Sequence, residues 1–439
     1  MDHPPCEGSP KGTVMFLRRS AAALAATTVL CAVAAPLAAA SPVTAPGGAP
    51  AAAGKGDAGL HGEADPTYDG VWRQSLALLA QDTAGVTPAK KSVGWLAAQQ
   101  CDDGSFASYR ADPGAPCGKK TVADTNATAA AVQALSVLGG HGDAVGKAVD
   151  WLKSVQNDDG GWGYNPGSPS DANSVSVVIG ALEQAGQDPE RTTAGKKDAT
   201  PYDALLGLRL GCDAKAGERG AFAYQPDKKG ALAPNTDATA AATLAGEGDG
   251  FVVEPLEQDE NEAVEALACG GGGGDRKDPE DAAEAGAAYL TGVLKKNDWH
   301  LMSALPGSED QPDYGNTADA VLALAAGGHG DAARSTVGWL EKHHGDWDEH
   351  ASSPAALGQL VLAAHATGTD PRDFGGTDLV KRLNATGPEP AAVEEPKSQA
   401  EEEKEDDGDT VTLVSTVAAF LVAGIGIGIL LSGRGKRKQ

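Results

Sequence analysis

"DWLKSVQNDDGGWGYNP", residues 150–166, is the stretch that decides the fold. It opens with helical spacing and closes in a loop of acids, glycines and aromatics. A near copy, "GWLAAQQCDDGSFASYR", occupies residues 94–110. Extended upstream, "KAVDWLKSVQNDDGGW" (147–162) and "KSVGWLAAQQCDDGSF" (91–106) share Lys, Trp-Leu, Gln, Asp-Asp-Gly and a closing aromatic. Weaker copies are "LLGLRLGCDAKAGERGAFAYQP" (205–226), "AGAAYLTGVLKKNDW" (285–299) and "STVGWLEKHHGDW" (335–347). The third keeps "AFAYQP" against "GWGYNP"; the fourth and fifth carry Leu294 and His344 in place of Gln. One such unit cannot bury its own apolar face, so recurring copies imply a stacked array.

After each loop comes an Ala-rich helix opened by Asp or Asn: "ADTNATAAAVQALSVLGG", "SDANSVSVVIGALEQAG", "PNTDATAAATLAG", "GNTADAVLALAAGG" and, degenerate, "SSPAALGQLVLAAHATG". In the first, Ala127, Ala131, Ala134 and Leu138 share a face at helical spacing, as do Val145, Val149 and Leu152 in the partner helix. The opening Asp and Asn residues accept orphan N–H groups and oppose the helix dipole. "YDGVWRQSLALLAQ" (68–81) adds a lone inner-type helix and "FGGTDLVKRLNA" (374–385) a lone outer-type one. The count becomes six of each. Small Ala-rich helices suit a crowded inner wall, and six helix pairs can close into a ring.

The motif behind this count is Lys/Arg-Ala-x-x-aromatic-Leu-x-x-x-Gln-x-x-x-Gly-x-Trp. Lys147, Ala148, Trp151, Leu152, Gln156, Gly160 and Trp162 fit it in full; the copy with Trp95, Gln100 and Phe106 fits with Ser92 for Ala and Phe for the last Trp. In this the chain resembles the α6/α6 toroid of squalene cyclases and the protein prenyltransferase β subunit. It is similar as well to the helical domain of the cobalamin carriers, intrinsic factor and transcobalamin. The resemblance covers residues 67–386 and implies an all-α fold in which Trp95, Gln100, Phe106, Trp151, Gln156 and Trp162 staple neighbouring helix pairs. It is specific for fold and weak for activity, because this fold hosts unrelated chemistries.

The chain ends carry targeting signals. "MFLRRS" followed by "AAALAATTVLCAVAAPLAAAS" reads as a signal peptide over 1–40, with Met15 the natural start and cleavage near Ala40–Ser41. Residues 41–66 read as a disordered Ala/Gly/Pro leader. Residues 387–410 form an acidic, Pro-bearing stalk without apolar period. "VTLVSTVAAFLVAGIGIGILL" (411–431) is long and apolar enough to span a bilayer as a helix, and the basic tail 432–439 predicts a cytoplasmic C-terminus. The expectation is a single-pass membrane protein with its mass outside the cell. Its Ala/Gly/Asp-rich composition suggests a high-GC bacterial source.

With 35 Lys and Arg against 61 Asp and Glu, the net charge is −26, which excludes nucleic acid as a partner. Four cysteines lie beyond the signal peptide. Cys101 and Cys117 share one loop and are the first pair; Cys212 with Cys269 follows by elimination. That second pair requires the 246–279 insert to run back along the barrel, with "LEQDENEAVEALA" as an extra helix.

One rim is expected to gather the aromatic loops, the caps and the N-termini of the inner helices. Its candidate ligand-binding residues are Tyr109, Tyr164, Tyr224, Tyr314, Asp124, Asn126, Asp171, Asn173, Asn235, Asp237 and Asn316. Aromatic walls over amide N–H groups suit a small amphipathic ligand. The carrier resemblance points first to a corrinoid such as cobalamin, with uptake the purpose and a membrane transporter or surface protein as partner. The carriers' second, β domain has no counterpart here. A surface docking module is the alternative. An isoprenoid-acting enzyme ranks third, since the cyclases' Asp-x-Asp-Asp acid, the prenyltransferases' zinc ligands and the thioester "GCGEQ" are all missing from the sequence. "HHGDWDEH" (343–350) lacks a recognised metal spacing. No metal or other cofactor is expected.

Overall fold

The computed structural model describes residues 57–195, 198–269, 278–303, 308, 310–348 and 352–391. The expected signal peptide, most of the expected leader and stalk, the expected membrane span and the basic tail lie outside these residues. Among the described residues no helix is long and apolar enough to cross a membrane.

Among the described residues twelve α-helices alternate between two layers. The inner ones are α1 (Gly70–Thr83), α3 (Thr125–Leu138), α5 (Ala172–Gln184), α7 (Thr236–Gly246), α9 (Tyr314–Ala326) and α11 (Pro354–Ala366). The outer ones are α2 (Lys90–Ala98), α4 (Gly142–Ser154), α6 (Pro201–Leu206), α8 (Pro279–Lys296), α10 (Gly330–His343) and α12 (Leu379–Ala385). Each inner helix packs on the next, and α11 packs back on α1, so the inner layer closes into a ring.

Two properties of the sequence make that closure possible. Ala side chains keep the inner helices slim: Ala129, Ala130, Ala131 and Ala134 are all fully buried. At the closing seam Gly358 of α11 sits where a Cβ would lie 3.0 Å from the Leu76 carbonyl of α1. The inner helices also start at defined points. Asp124 accepts from the Ala127 N–H at 2.9 Å, Asp171 from Ser174 at 2.8 Å and Asn235 from Ala238 at 2.8 Å. Asp313 and Ser353 cap α9 and α11 in the same way. Each cap contributes about 1 kcal/mol.

The repeat loops couple neighbouring pairs through backbone more than through aromatic contact. Gly104, Gly160 and Gly220 all have positive φ, and a Cβ on each would overlap a carbonyl of the following pair, at Lys147, Thr200 and Ala285 respectively. Glycine is therefore required twice over, by φ and by space. Gln100 donates to Gly104 O at 3.1 Å in its own loop and to Ala144 O of α4 at 2.8 Å. Among the described residues Gln156 reaches only its own loop, at Gly160 O, 2.7 Å away. Trp162 is buried and its Nε1 donates to Leu152 O at 2.8 Å; Phe106 is buried, and Trp95 stacks on Tyr109.

The fourth copy is read differently in three dimensions. Phe106 N and Phe222 N donate to Thr128 and Thr239 of their inner helices, and the equivalent bond in the fourth loop is Leu301 N to Thr317. Leu301, not Trp299, thus fills the aromatic slot. Asp298 and Trp299 take positive φ instead, and a two-residue antiparallel pairing of Leu301–Met302 with Pro312–Asp313 follows. In the fifth copy His344 replaces Gln by bridging Glu341 O and Thr377 Oγ1.

Two expectations are corrected. Residues 57–66, assigned to the disordered leader, are folded. Asp57–Gly59 forms a 3-10 turn, and buried His61 bonds through its backbone N–H to Gln74 Oε1 at 2.8 Å. Composition could not reveal that Gln74 and Thr386 supply partners there. The insert does reach Cys212, but Phe251–Cys269 forms no helix. It is an extended strap whose polar backbone groups are taken up by other elements. Phe251 N bonds to Gln133 Oε1, Leu256 N to Ala366 O and Glu262 N to Gly328 O. Cys212–Cys269 then ties the strap down, while Cys101–Cys117 closes the first repeat loop.

Candidate functional site

All six inner helices contribute to an axial cavity of about 220 Å³. Its wall is apolar, with Leu76, Val177, Leu244, Leu322 and Leu362 among its residues, and Trp72, Gly250 and Phe251 also line it. The strap places Gly250 and Phe251 there. The Phe251 ring meets Trp72 edge-on at 5.4 Å, and Gly180 lies so close to Gly250 that a Cβ would come within 2.8 Å of its Cα.

Polar groups form two tiers. Asn126, Asn173 and Asp237 each stand two residues after the cap of their helix, and Asp319 and Gln359 stand six after theirs. Positions four apart share a helix face one turn away, so both tiers look into the ring. Asn173 Nδ2 donates to Asp237 Oδ2 at 2.7 Å, and Gln359 Nε2 to Asp319 Oδ1 at 3.2 Å. Burial pushes the Asp319 carboxyl up to about 7, Asp237 and Asp313 adding to the rise against the Gln359 hydrogen bond. Burial raises Asp237 as well, with Asp313 and Asp171 contributing and the Asn173 bond opposing. Asp249 lines the space as well, and carboxylates sharing one enclosed space cannot all ionise cheaply.

Above α1 and α3 a second pocket of about 230 Å³ shares Trp72 and Asn126 with the cavity. Tyr68, Asp124 and Tyr164 line it, and Tyr68 is 83% exposed. Burial and hydrogen bonding to Asp124 raise the Tyr164 hydroxyl.

The sequence-derived candidates therefore divide. Asn126, Asn173 and Asp237 meet in the cavity; Asp124 and Tyr164 meet in the rim pocket, where Asp124 is also a cap. Asp171 and Asn235 serve as caps, and Asn316 turns back to Asp313 at 2.8 Å. Tyr109 stacks on Trp95, Tyr224 is exposed beside Asp171, and Tyr314 stacks on Trp347 and meets Trp339 at a tilt. They do not converge on one bowl. Asp319 and Gln359 were missed because no motif surrounds them. The available signal was a polar side chain inside an Ala/Leu-rich inner helix, in register between neighbours. Among the described residues no group of three metal-capable side chains forms. His343 lies 3.7 Å from Asp346, while His344 is committed to the loop.

Residues 55–204 match the prenyltransferase alpha-alpha toroid domain family. The squalene–hopene cyclase of Zymomonas mobilis is 34% identical over 147 residues, which span 33% of this chain and 18% of that enzyme. A protein from Actinoplanes shares 14% identity at a TM-score of 0.42, over 69% of this chain and 91% of its own. Candida albicans protein geranylgeranyltransferase-I, complexed with GGPP, shares 14% at 0.31, over 51% and 65%. The family match and the closed ring of inner helices agree: this chain carries a prenyltransferase/terpenoid-cyclase-like α/α toroid.

Proposed function

We infer that this toroid is a binding protein for a small amphipathic molecule, held outside the cell by the C-terminal span. The observation that carries the reading is the axial cavity with its apolar wall, two polar tiers and adjoining rim pocket. An engineered cavity of roughly 150 Å³ accepts benzene, so the space suits a compact ligand. A corrin macrocycle is too large to be enclosed there, and a corrinoid would lie on the rim, with a transporter or surface partner closing it. The disulfides fit an oxidising compartment.

The test uses the full chain with disulfides formed, in mild detergent. Calorimetry with 2-phenylethyl and hexyl compounds bearing neutral or charged heads should show 1:1 binding. Ala241 lines the cavity, so Ala241→Phe should abolish that binding while leaving the helical circular dichroism intact. If no compound binds above the level of this variant, the reading fails. Cobalamin, by contrast, should be indifferent to Ala241→Phe if it occupies the rim.

A second reading, an isoprenoid-acting enzyme, draws on Asp319. An enclosed carboxyl kept protonated near neutrality has the property a general acid needs. Turnover of a polyene substrate, lost in Asp319→Asn, would favour it over binding alone.

A further inference from the structure

We propose that the axial cavity selects an organic ammonium ion, whose charged head lies between Asp237 and Asp319 and whose apolar body fills the ring. This rests on the cavity being a ligand site and names the class of its ligand.

The cavity leaves particular hydrogen-bonding roles open. The Asn173 amide is oriented by its own bond to Asp237, so its Oδ1 is left as an acceptor without a partner. Asn126 Oδ1 is likewise unpartnered. Ser176, only 5% exposed and lining the same space, has an Oγ with no hydrogen bond. Asp237 accepts from Asn173 and Asp319 from Gln359, one bond each, whereas an ionised carboxylate offers about four lone-pair sites. The Ser176 hydroxyl can donate or accept, but the Asn and Asp oxygens only accept, so their demand is for donors. Among the described residues no Lys, Arg or His lines the cavity to meet it.

An ammonium group brings three donors and a positive charge. Carboxylates removed from water are costly when unpaired, and a cation between them removes that cost. Trp72 and Phe251 also line the cavity, and aromatic rings attract a cation more than an anion. A carboxylate or phosphate head would meet like charge. An alcohol supplies one donor and no charge. By proportion to benzene in a roughly 150 Å³ cavity, the space takes about nine non-hydrogen atoms, the size of 2-phenylethylammonium.

The experiment compares 2-phenylethylammonium, 2-phenylethanol and phenylacetate by calorimetry on the full chain at pH 8, with Ala241→Phe as the control for detergent partitioning. The ammonium compound should bind at least about tenfold more tightly than the alcohol, since charge-assisted bonds are roughly twice as strong as neutral ones; phenylacetate should not bind. The double variant Asp237→Asn/Asp319→Asn keeps side-chain shape and should erase the discrimination while retaining alcohol binding. Equal affinity for ammonium and alcohol overturns the ammonium proposal and leaves the cavity reading standing. Discrimination that survives in the double variant also overturns it. Binding of none of the three overturns both.

Discussion

Replacing Asp319 with Asn should make the protein more stable at neutral pH and leave it unchanged in acid. Asp319 rises from 3.8 to about 7 on folding because it is buried beside Asp237 and Asp313. A carboxyl raised in this way supports the folded state fully below its unfolded value and loses that support as pH climbs through about 7. At 1.36 kcal/mol per pH unit, the interval corresponds to about 4 kcal/mol. Asn keeps an Oδ1 for the Gln359 donor and carries no charge, so it escapes the loss. Urea denaturation of the disulfide-intact full chain between pH 4 and 8 measures this directly. Glu183 is also raised to about 7, by burial and then by Asp188, Asp249 and Glu190, so wild-type stability falls for two reasons. The difference between wild type and variant isolates Asp319. It should be near zero at pH 4 and reach a few kcal/mol by pH 8. Parallel curves over that range would refute the assignment of Asp319 as an enclosed, raised carboxyl.

Gly104→Ala should destabilise by several kcal/mol in chemical denaturation, since it adds a Cβ against the Lys147 carbonyl at a positive φ. Trp162→Ala should cost about 3–5 kcal/mol, from lost burial and the lost bond to Leu152 O; a cost below about 1 kcal/mol would remove Trp162 from the core. Loss of Cys212–Cys269, which spans 57 residues, should cost about 4 kcal/mol, and loss of Cys101–Cys117, which spans 16, about 3 kcal/mol. Paired Cys→Ser variants compared by urea midpoint check the order. Gln133→Ala should release Phe251 N and cost about 1–3 kcal/mol, with faster hydrogen exchange confined to the strap around Phe251.

The repeat was legible because its physics is local. A Trp-Leu pair, a Gln and a Gly at constant spacing mark one outer helix and its exit, and the count of such exits sets the ring size. The role of the Gly was less visible than that of the aromatics. Gly104 and Gly160 show their purpose only when the carbonyls of Lys147 and Thr200 arrive from the next pair. Trp299 misled for a related reason: "NDW" looks like the motif's end, but the Thr317 hydroxyl selects Leu301 for the buried slot. The strap misled through composition. "LEQDENEAVEALA" is rich in helix formers, yet its backbone finds partners in Ala366 and Gly328, as Phe251 just upstream finds one in Gln133.

By itself the sequence determined the six helix pairs, the alternation of slim inner and bulkier outer helices and the start of each capped inner helix, and it put Cys101 and Cys117 in one loop while leaving Cys212 and Cys269 to elimination. These follow from spacing, side-chain size and local hydrogen bonding, which act within one repeat or between adjacent ones. Only the tertiary structure decided where the chemistry lies. Asn173, Asp237, Asp319 and Gln359 belong to four helices spread over nearly half the chain, and a motif search reads along one strand of sequence. Ring closure brings them to a common axis, and enclosure in that axis raises the carboxyls.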